Sequence, residues 1–457
     1  MGKVALLNEQ ASKVHHWHPM AAPKLAELAS PLVIERAEGV YIYDSEGKRY
    51  LDSQGGLWCV NVGHGRKEVK EAINVQLEKL PYYTTFGDTS NQPVMELAER
   101  LTRLAATEDM QRAFFGSGGS DAVETALKLS RQYWKLSGEA QRTKFISLKQ
   151  GYHGVHFGGT SIGGQMHLRS MYEPVLPHCF QIDTPWLYRN PYSDDPEELG
   201  KICANLLERE IVHQGPHTVA AFIAEPVQGS GGVIVPPDNY WSLIREVCDK
   251  YGVLLIADEV VTGFGRSGSM FGSRGWGVKP DIMCLAKGIN SGFVPLGATV
   301  VNERVRSAWD SDHPLAAILH GFTYSGHPLA CAAANAALQI VEDEDLPGNA
   351  GKVGSYCLTK LKETVSDFDF VGDIRGKGLM MAIELVSDKT SKTPFMPGDP
   401  FLKFIQQTSR EEGLFIRNLG TTLIISPPLV FTEQDVDALV DMLARTFDKA
   451  ASEFAKP

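Results

Sequence analysis

The sequence predicts an α/β fold: a large domain on a mostly parallel sheet between helices, followed by a smaller α+β domain. Short, nearly continuous apolar runs alternate with helical segments from about residue 95 to residue 300, as in sheets buried on both faces. After an Ala-rich helix at 328–341 the pattern changes, and no linker rich in Pro, Gly or Ser separates the two parts. We therefore expect the two domains to pack tightly.

The predicted elements follow one another along the chain. The N-terminal part has strand candidates at 31–36 and 39–43, a turn at 45–48 and an amphipathic helix at 69–80. The middle part has helices at 94–105, 121–134, 196–212 and 240–251, and apolar strands at 112–115, 144–148, 220–224, 253–257, 282–285 and 296–301. The C-terminal part has an Ala-rich helix at 328–341, strands near 379–385 and 423–425, and an amphipathic helix at 433–447.

The composition excludes several classes of protein. The 44 Lys and Arg residues against 55 Asp and Glu give a net charge of −11, which argues against a nucleic-acid surface. No apolar run approaches the roughly 18 residues of a membrane helix, and residues 1–20 do not resemble a signal peptide. The seven scattered cysteines include no CxxC pair, so we expect buried reduced thiols and a cytoplasmic protein.

A glycine-rich segment at 116–120 follows a predicted strand and opens a predicted helix. The N-terminus of a helix presents unpaired N–H groups and the positive end of its dipole, so it suits a phosphate. Glycine at 119 allows close approach of the backbone, and Ser120 offers a cap or a hydroxyl donor. A plain glycine-rich turn explains this segment equally well.

Two charged residues end neighbouring apolar strands. Asp258 follows the strand at 253–257, and Lys287 follows the strand at 282–285. Singly, each is compatible with a strand-end charge that faces solvent. Together with the glycine-rich turn they suit pyridoxal 5′-phosphate: Lys287 forms the Schiff base, Asp258 pairs with the protonated pyridine nitrogen, and the turn holds the phosphate.

Motifs along almost the whole chain resemble those of class III aminotransferases of pyridoxal-phosphate fold type I, within them the ω-amine:pyruvate transaminases. They are GGLWCVNVGHG at 55–65, GSDA at 119–122, GYHG at 151–154, EPVQG at 225–229, DEV at 258–260, AKG at 286–288, GFTYSGHP at 321–328 and GLFIR at 413–417. Asp121 stands where the family usually has glutamate, and both residues acidify the first helical turn. The resemblance implies a large domain at 76–328 and a small domain from both chain termini, at 1–75 and 329–457.

The resemblance also assigns expected roles around the cofactor. Tyr152 is expected to stack on the pyridine ring, Val260 to pack on its opposite face, and Glu225 to support the side of the ring hydroxyl. Thr323 is expected to reach the phosphate held by a neighbouring subunit. Such sharing implies a homodimer, or a dimer of dimers, with active sites at the subunit interface.

The substrate residues are likewise expected from the resemblance. Leu57, Trp58 and Phe86 resemble the apolar wall of the substrate pocket, which Tyr152 also borders. Arg417 resembles the mobile arginine that binds the carboxylate of a keto acid, a pairing that a guanidinium makes through two hydrogen bonds.

The expected function is transfer of an amino group from a primary amine or ω-amino compound to a keto acid, here pyruvate, giving alanine. Lys287 is the expected catalytic residue of both half-reactions. A γ-aminobutyrate transaminase, a putrescine-type diamine transaminase and an aminomutase remain alternatives on the same scaffold. A pyridoxal-dependent regulator would carry an additional DNA-binding module. It is less consistent with the acidic charge and with aminotransferase motifs that extend over almost the whole chain.

Two other motifs are weaker. Residues 263–268 match GxGxxG, but the glycine- and proline-rich stretch at 269–280 has no helical period, so a dinucleotide site is not expected. His15, His16 and His18 lack a further ligand at metal-binding spacing. We expect that segment to lie at the substrate entrance or to be structural, and we expect no metal.

Overall fold

The computed structural model describes residues 12–24 and 31–454. Its strands are β1 (Ile34–Glu38), β2 (Tyr41–Asp44), β3 (Arg49–Asp52), β4 (Met110–Gly116), β5 (Lys144–Leu148), β6 (Cys179–Ile182), β7 (Val219–Ala224), β8 (Leu254–Asp258), β9 (Ile282–Leu285), β10 (Gly297–Asn302), β11 (Val371–Gly376), β12 (Met381–Asp388), β13 (Thr393–Pro394), β14 (Leu414–Phe415), β15 (Arg417–Leu419) and β16 (Thr422–Ile425). Its longer helices are α1 (Lys67–Lys79), α2 (Gln92–Leu104), α3 (Gly119–Leu136), α4 (Pro196–Gln214), α5 (Tyr240–Tyr251), α6 (Pro328–Asp343), α7 (Leu346–Val365), α8 (Pro400–Glu411) and α9 (Glu433–Glu453). Short helical turns lie at Gly55–Trp58, Phe157–Ile162, Met166–Arg169 and Glu303–Arg306. Within the described ranges no helix has the length and apolarity needed to cross a membrane.

A seven-stranded sheet of order β4-β10-β9-β8-β7-β5-β6 forms the centre of the large domain. Only β10 runs against the others, since it pairs antiparallel with both β4 and β9. Successive residues of the central strands face opposite layers: Ile223 and Ile256 pack with α3, whereas Phe222 and Leu255 pack with α4 and α5. Apolar residues at consecutive positions are therefore buried on both faces, which confirms the mostly parallel sheet.

The smaller domain is built from both ends of the chain. A sheet of order β1-β2-β3-β14 combines three N-terminal strands with one C-terminal strand, and Leu51 of β3 pairs parallel with Leu414 of β14. A second sheet, β11-β12-β16-β15 with β13 on β12, packs on α7, α8 and α9 through one hydrophobic core. This arrangement confirms the predicted fold class.

The direction of the central strands places the chemistry of the chain at one edge. Each neighbouring pair in the series β5, β7, β8 and β9 is parallel. The carboxyl ends of these strands therefore meet on the same side of the sheet. Ligands of open α/β sheets bind at that side. Here a cavity of about 950 Å³ opens between this edge and the β15–β16 hairpin of the small domain.

Candidate active site

The cavity brings together most of the residues that the sequence analysis selected. Those that line it are Leu57, Trp58, Gly119, Ser120, Tyr152, Glu225, Asp258, Val260, Lys287 and Arg417. Phe86 and Thr323 do not belong to this lining. The cavity walls therefore come from segments more than 350 residues apart in the chain.

The start of α3 forms a small concave surface at the cavity wall. The helix begins at Gly119, after an N-cap glycine that offers no capping side chain. A Cβ atom at position 119 would lie 2.9 Å from Cγ1 of Val260, so only glycine lets these two segments touch. Ser120 Oγ accepts a hydrogen bond from the Val155 N–H at 3.1 Å, which leaves its own hydrogen free to donate. These donors suit an anion.

Asp258 ends β8 and is 4% exposed. Its Oδ1 accepts a hydrogen bond from the Val260 N–H at 3.2 Å, and its Oδ2 lies 2.8 Å from Nδ1 of His153. Because an ionised carboxylate only accepts hydrogen bonds, Nδ1 carries the proton and donates it. His153 was predicted only as part of a motif, and the structure shows it as the direct partner of Asp258.

Lys287 follows β9, next to β8, and projects into the same cavity. Its backbone adopts φ +48°, a conformation that is strained for a side chain larger than glycine and is typical of functional sites. In the described part of the chain its amine forms no hydrogen bond or ion pair. Burial lowers the pKa of Lys287, although the charges of Asp258 and Glu225 act in the opposite direction. The environment therefore favours a neutral, reactive amine.

Glu225 joins two walls of the cavity. Its two oxygens accept hydrogen bonds from the N–H groups of Tyr152, at 2.9 Å, and Gly229, at 2.8 Å. Burial, together with the charge of Asp258, raises the pKa of Glu225 to about 7, although His153 and the two N–H groups act in the opposite direction. Burial also raises the pKa of Tyr152.

The turn Gln54–Cys59 carries the apolar wall and has an unusual backbone. Gly55, Gly56 and Trp58 all have positive φ, at 54°, 67° and 62°. Asp52 holds the turn, since its oxygens accept the N–H groups of Gln54 at 3.0 Å and Gly56 at 2.9 Å. Leu57 is exposed at the cavity, whereas Trp58 is buried.

Two further contacts fix this turn. His64 Nε2 lies 2.9 Å from Oδ2 of Asp52, whose side chain is 1% exposed. The Trp58 ring packs so closely on Gly229 that a Cβ atom there would lie 2.3 Å from the ring. Sequence reasoning included His64 in a motif but did not assign it or Asp52 a role, because a turn-holding carboxylate has no spacing signature.

Arg417 begins β15, in the hairpin that faces the sheet edge across the cavity. It is partly buried, and no hydrogen bond or ion pair of its side chain occurs among the described residues. By contrast, the neighbouring Arg189 and Arg375 both pair with Glu384, at 3.1 and 2.8 Å. Arg417 is thus a cation available to an anionic ligand.

Phe86 and Thr323 lie together outside the cavity. Phe86 packs on the segment of Thr323, because a Cβ atom at Gly321 would be 2.9 Å from its ring. Thr323 is exposed, and its carbonyl accepts a hydrogen bond from the Tyr82 hydroxyl at 2.7 Å. Leu319, at 95% exposure, and Tyr324, at 57%, continue this apolar surface. A role for Thr323 in a cofactor site therefore needs a second subunit.

The GxGxxG-like segment is a structural loop. Glu259, which is fully buried, accepts hydrogen bonds from the Thr262 hydroxyl at 2.5 Å and from the N–H groups of Gly272 and Ser273, both at 2.7 Å. Only a short 3-10 turn, Ser273–Trp276, follows it. The histidines of 15–18 form no metal-binding group with other described residues, and Met20, just beyond them, lines the cavity.

The fold and the site together define a pyridoxal-phosphate-dependent enzyme of fold type I. The lining fits that cofactor: an unpartnered amine on Lys287, a buried carboxylate on Asp258 for a ring nitrogen, and free donors at Gly119 and Ser120 for a phosphate. A family model described as Aminotransferase class-III matches residues 24–447. This chain belongs to the class III aminotransferases, and its cofactor is pyridoxal 5′-phosphate.

Known proteins resemble the chain over nearly its full length. An amine transaminase from an uncultivated Pseudomonas species, solved in its PLP-bound (internal aldimine) form, is 53% identical, with a TM-score of 0.93 over 95% of this chain and 98% of its own. The putrescine–pyruvate aminotransferase of Pseudomonas aeruginosa is 40% identical over 87% of this chain and 86% of its own. An omega transaminase variant engineered for synthesis of bulky amines is 37% identical, with a TM-score of 0.94 over 98% and 99%.

Proposed function

We propose that the enzyme transfers the amino group of a primary amine or ω-amino compound to pyruvate, which becomes alanine. One observation carries this proposal: an apolar wall and an unpartnered arginine line the same cavity. The wall suits the body of an amine, and the arginine suits a carboxylate. The omega transaminase variant engineered for bulky amines is substituted at a tryptophan, a phenylalanine and an arginine that share residue type and number with Trp58, Phe86 and Arg417, which supports the choice of these residues as substrate residues.

Bound pyridoxal phosphate supplies the electron sink that makes the proton on the amino-bearing carbon of the substrate removable. Lys287, whose pKa is lowered by burial, would be the base that removes that proton and the acid that later returns it. Asp258, oriented by the Val260 N–H and by His153, holds the proton on the ring nitrogen. Tyr152 and Val260 border the same space and position the ring, and Glu225 anchors the Tyr152 segment.

Arg417 decides how one cavity serves two kinds of substrate. A carboxylate pairs with its guanidinium, whereas an apolar amine brings no partner for it. An arginine fixed against an apolar ligand would leave an unpaired buried charge, which costs several kcal/mol. Arg417 lies three residues before Gly420, whose φ of +58° marks the bend of the hairpin. We infer that its side chain moves towards keto acids and away from amines.

The diamine alternative has less support in this cavity. A diamine presents a second ammonium group, which requires a free carboxylate. The acidic residues of the lining are Glu225, Asp258 and Glu384. Glu225 and Asp258 are engaged at the cofactor site, and Glu384 is paired with Arg189 and Arg375. The diamine alternative is worth testing because a putrescine–pyruvate aminotransferase is among the relatives. The test compares the activity of the enzyme with putrescine and with aryl-alkyl amines as amino donors.

The two half-reactions, followed separately by the absorbance of the bound cofactor, test the proposal. Arg417→Ala should slow the half-reaction with pyruvate about 30-fold or more, since one partner of a partly buried pair is worth at least about 2 kcal/mol. The half-reaction with an aryl-alkyl amine should change little. Arg445→Ala, which removes an exposed arginine that pairs with Glu412, is the control. Equal losses in both half-reactions would reject the substrate role of Arg417.

We also propose a homodimer that works in the cytoplasm. The exposed apolar surface around Thr323, with Phe86, Leu319 and Tyr324, supports the dimer, since contiguous apolar patches mark interfaces. A partner at this surface would bring Thr323 to the phosphate of the neighbouring site. The seven cysteines are all free, which is consistent with a reducing compartment.

A further inference from the structure

The cavity contains a buried amide that has no partner. Gln54 lines the cavity and is 2% exposed, yet its Nε2 forms no hydrogen bond with any described residue. Buried amide groups are normally paired, so an unpaired one in a ligand cavity indicates a ligand. Neither the motifs nor the expected substrate wall included this residue.

Gln54 lies beside the hairpin that carries Arg417. Both sequence neighbours of Gln54 contact residues that flank this hairpin: Ser53 N–H donates to the carbonyl of Phe415, just before it, at 3.2 Å, and Gly55 lies against the carbonyl of Ser426, just after it. The parallel register of β3 with β14 pairs Asp52 with Phe415. Trp58, in the same turn as Gln54, packs with Leu419 and Ile424 of the hairpin, and both Gln54 and Arg417 line the cavity.

No described residue accepts a hydrogen bond from this amide. Asp52 is the adjacent carboxylate, but its oxygens are engaged by the N–H groups of Gln54 and Gly56 and by the ring of His64 instead. An amide N–H and a free guanidinium on one side of a cavity form a donor set, and a carboxylate with its two oxygens is the complementary ligand.

We propose that Gln54 is a substrate-binding residue, whose amide donates a hydrogen bond to the carboxylate of the keto acid while Arg417 pairs with its charge. This inference rests on the proposed function. In it, the Gln54 amide is the hydrogen-bond donor that stays in place when the Arg417 side chain moves. With an apolar amine the Gln54 amide remains unpaired, so it favours keto acids over amines at this end of the cavity.

Two substitutions at position 54 test the proposal in the holoenzyme. Gln54→Met keeps the length of the side chain but removes the donor, and Gln54→Glu replaces it with a charge that repels a carboxylate. We expect Gln54→Met to lower kcat/KM for pyruvate about 10- to 100-fold, the range of a hydrogen bond to a charged group, and Gln54→Glu to lower it further. The amine half-reaction should stay within about twofold.

A binding measurement gives a readout that is independent of turnover. Propionate, an unreactive carboxylate of the size of pyruvate, should bind the wild-type holoenzyme in calorimetry and bind Gln54→Met about 10-fold or more weakly. Gln165→Met is the matched control, because that amide also lines the cavity but already donates to Gln150 and Ser230. It should leave the ratio of the two half-reaction rates unchanged.

The possible failures are distinguishable. If the wild-type enzyme transfers no amino group to any keto acid, the proposed function fails. If the wild type uses pyruvate and Arg417→Ala loses it, while Gln54→Met and Gln54→Glu retain normal propionate binding, only the role of Gln54 is overturned. A loss that is equal in both half-reactions and is accompanied by a lower Tm would assign Gln54 a structural role and would also overturn the proposal.

Discussion

At the scale of single residues, the pair His153–Asp258 is the feature with the most direct chemical consequence. The imidazole is fully buried and donates to the carboxylate that faces the cavity, and its Nε2 has no partner among the described residues. The Val260 N–H and the His153 ring together fix the orientation of this carboxylate. We therefore predict that His153 is a positioning residue, which acts on the cofactor ring through Asp258.

His153→Phe should keep the volume of the ring but remove this donor. We expect kcat of the amine half-reaction to fall about 10- to 100-fold, since a hydrogen bond to a charged group is worth about 1.5–3 kcal/mol. The absorbance spectrum of the bound cofactor should change with it, because the ring nitrogen loses part of its protonation. Single-turnover kinetics and the spectrum of the holoenzyme measure the two effects.

His156→Phe is the matched control for this prediction. His156 also pairs with an aspartate, since its Nε2 lies 2.7 Å from Oδ1 of Asp121, but it is half-exposed and does not line the cavity. The same substitution there should leave the cofactor spectrum unchanged. If His153→Phe lowers only the Tm and leaves both spectrum and rate intact, His153 is structural.

The positions of single functional residues were predictable from the sequence where those residues lie at the end of a strand. Asp258 and Lys287 follow uninterrupted apolar strands, so their place at the sheet edge was predictable. The contacts of His153 with Asp258, and of Ser53 with Phe415, join segments 105 and more residues apart. No periodicity encodes such pairs, because they arise only when the sheet and both domains have assembled.

At the scale of elements, the turn Gln54–Cys59 shows how backbone strain is held in place. Three of its residues have positive φ, and the turn keeps this shape because Asp52 accepts two of its N–H groups while His64 binds the same carboxylate. Such strain persists only when surrounding contacts over-determine it. The position of Leu57 and Trp58 therefore depends on a carboxylate outside the cavity.

Asp52→Asn should loosen this turn without removing the chemistry of Lys287. An amide provides one acceptor oxygen where the carboxylate provides two, so at least one N–H of the turn is left unpaired, at a cost of about 1–3 kcal/mol. We expect faster hydrogen exchange at 54–60 and a reduced preference between small and bulky amines in kcat/KM. Cofactor binding should persist.

Asp44→Asn provides the control for the turn. Asp44 also accepts two backbone N–H groups, those of Glu46 and Lys48, in the β2–β3 hairpin away from the cavity. It should alter exchange in its own hairpin only, with no change in amine preference. An unchanged exchange rate at 54–60 in Asp52→Asn would contradict the role given to Asp52.

Elements were predictable where their hydrophobic pattern is continuous. β5, β7, β8 and β9 lie within one residue or so of the expected ranges, since each is a buried apolar run. β6 was missed because it is a four-residue edge strand of mostly half-buried residues. α7 was missed because three glycines, at 348, 351 and 354, interrupt its helical pattern, and tertiary packing overrides their low propensity.

At the scale of the whole molecule, the apolar surface around Thr323 supports an assembly larger than one chain. Leu319→Asp places a charge in its most exposed apolar position and should dissociate the proposed homodimer. Because Thr323 would then no longer reach a neighbouring phosphate, cofactor retention should fall as well. Sedimentation and cofactor content, measured on the same samples, test both expectations.

Val212→Asp is the control for this experiment, since Val212 is an exposed apolar residue of α4, 53% accessible, in a different part of the fold. It should remain a dimer that retains cofactor. Monomers of Leu319→Asp that retain full cofactor would contradict the shared site. The domain boundaries expected near residues 75 and 328 stay a prediction, although the pairing of β3 with β14 is consistent with a small domain formed by both chain ends.

That pairing also sets an order of events during protein synthesis. The Ser53 hydroxyl donates to the carbonyl of Phe415 across 362 residues, and Ser426 N–H donates back to Ser53. A ribosome releases the segments around Asp258 and Lys287 well before these C-terminal residues leave the exit tunnel. The nascent chain therefore contains the sheet edge with Asp258 and Lys287 before the C-terminal hairpin can cover it, and closing that long loop adds an entropic cost that is met only after synthesis of the hairpin.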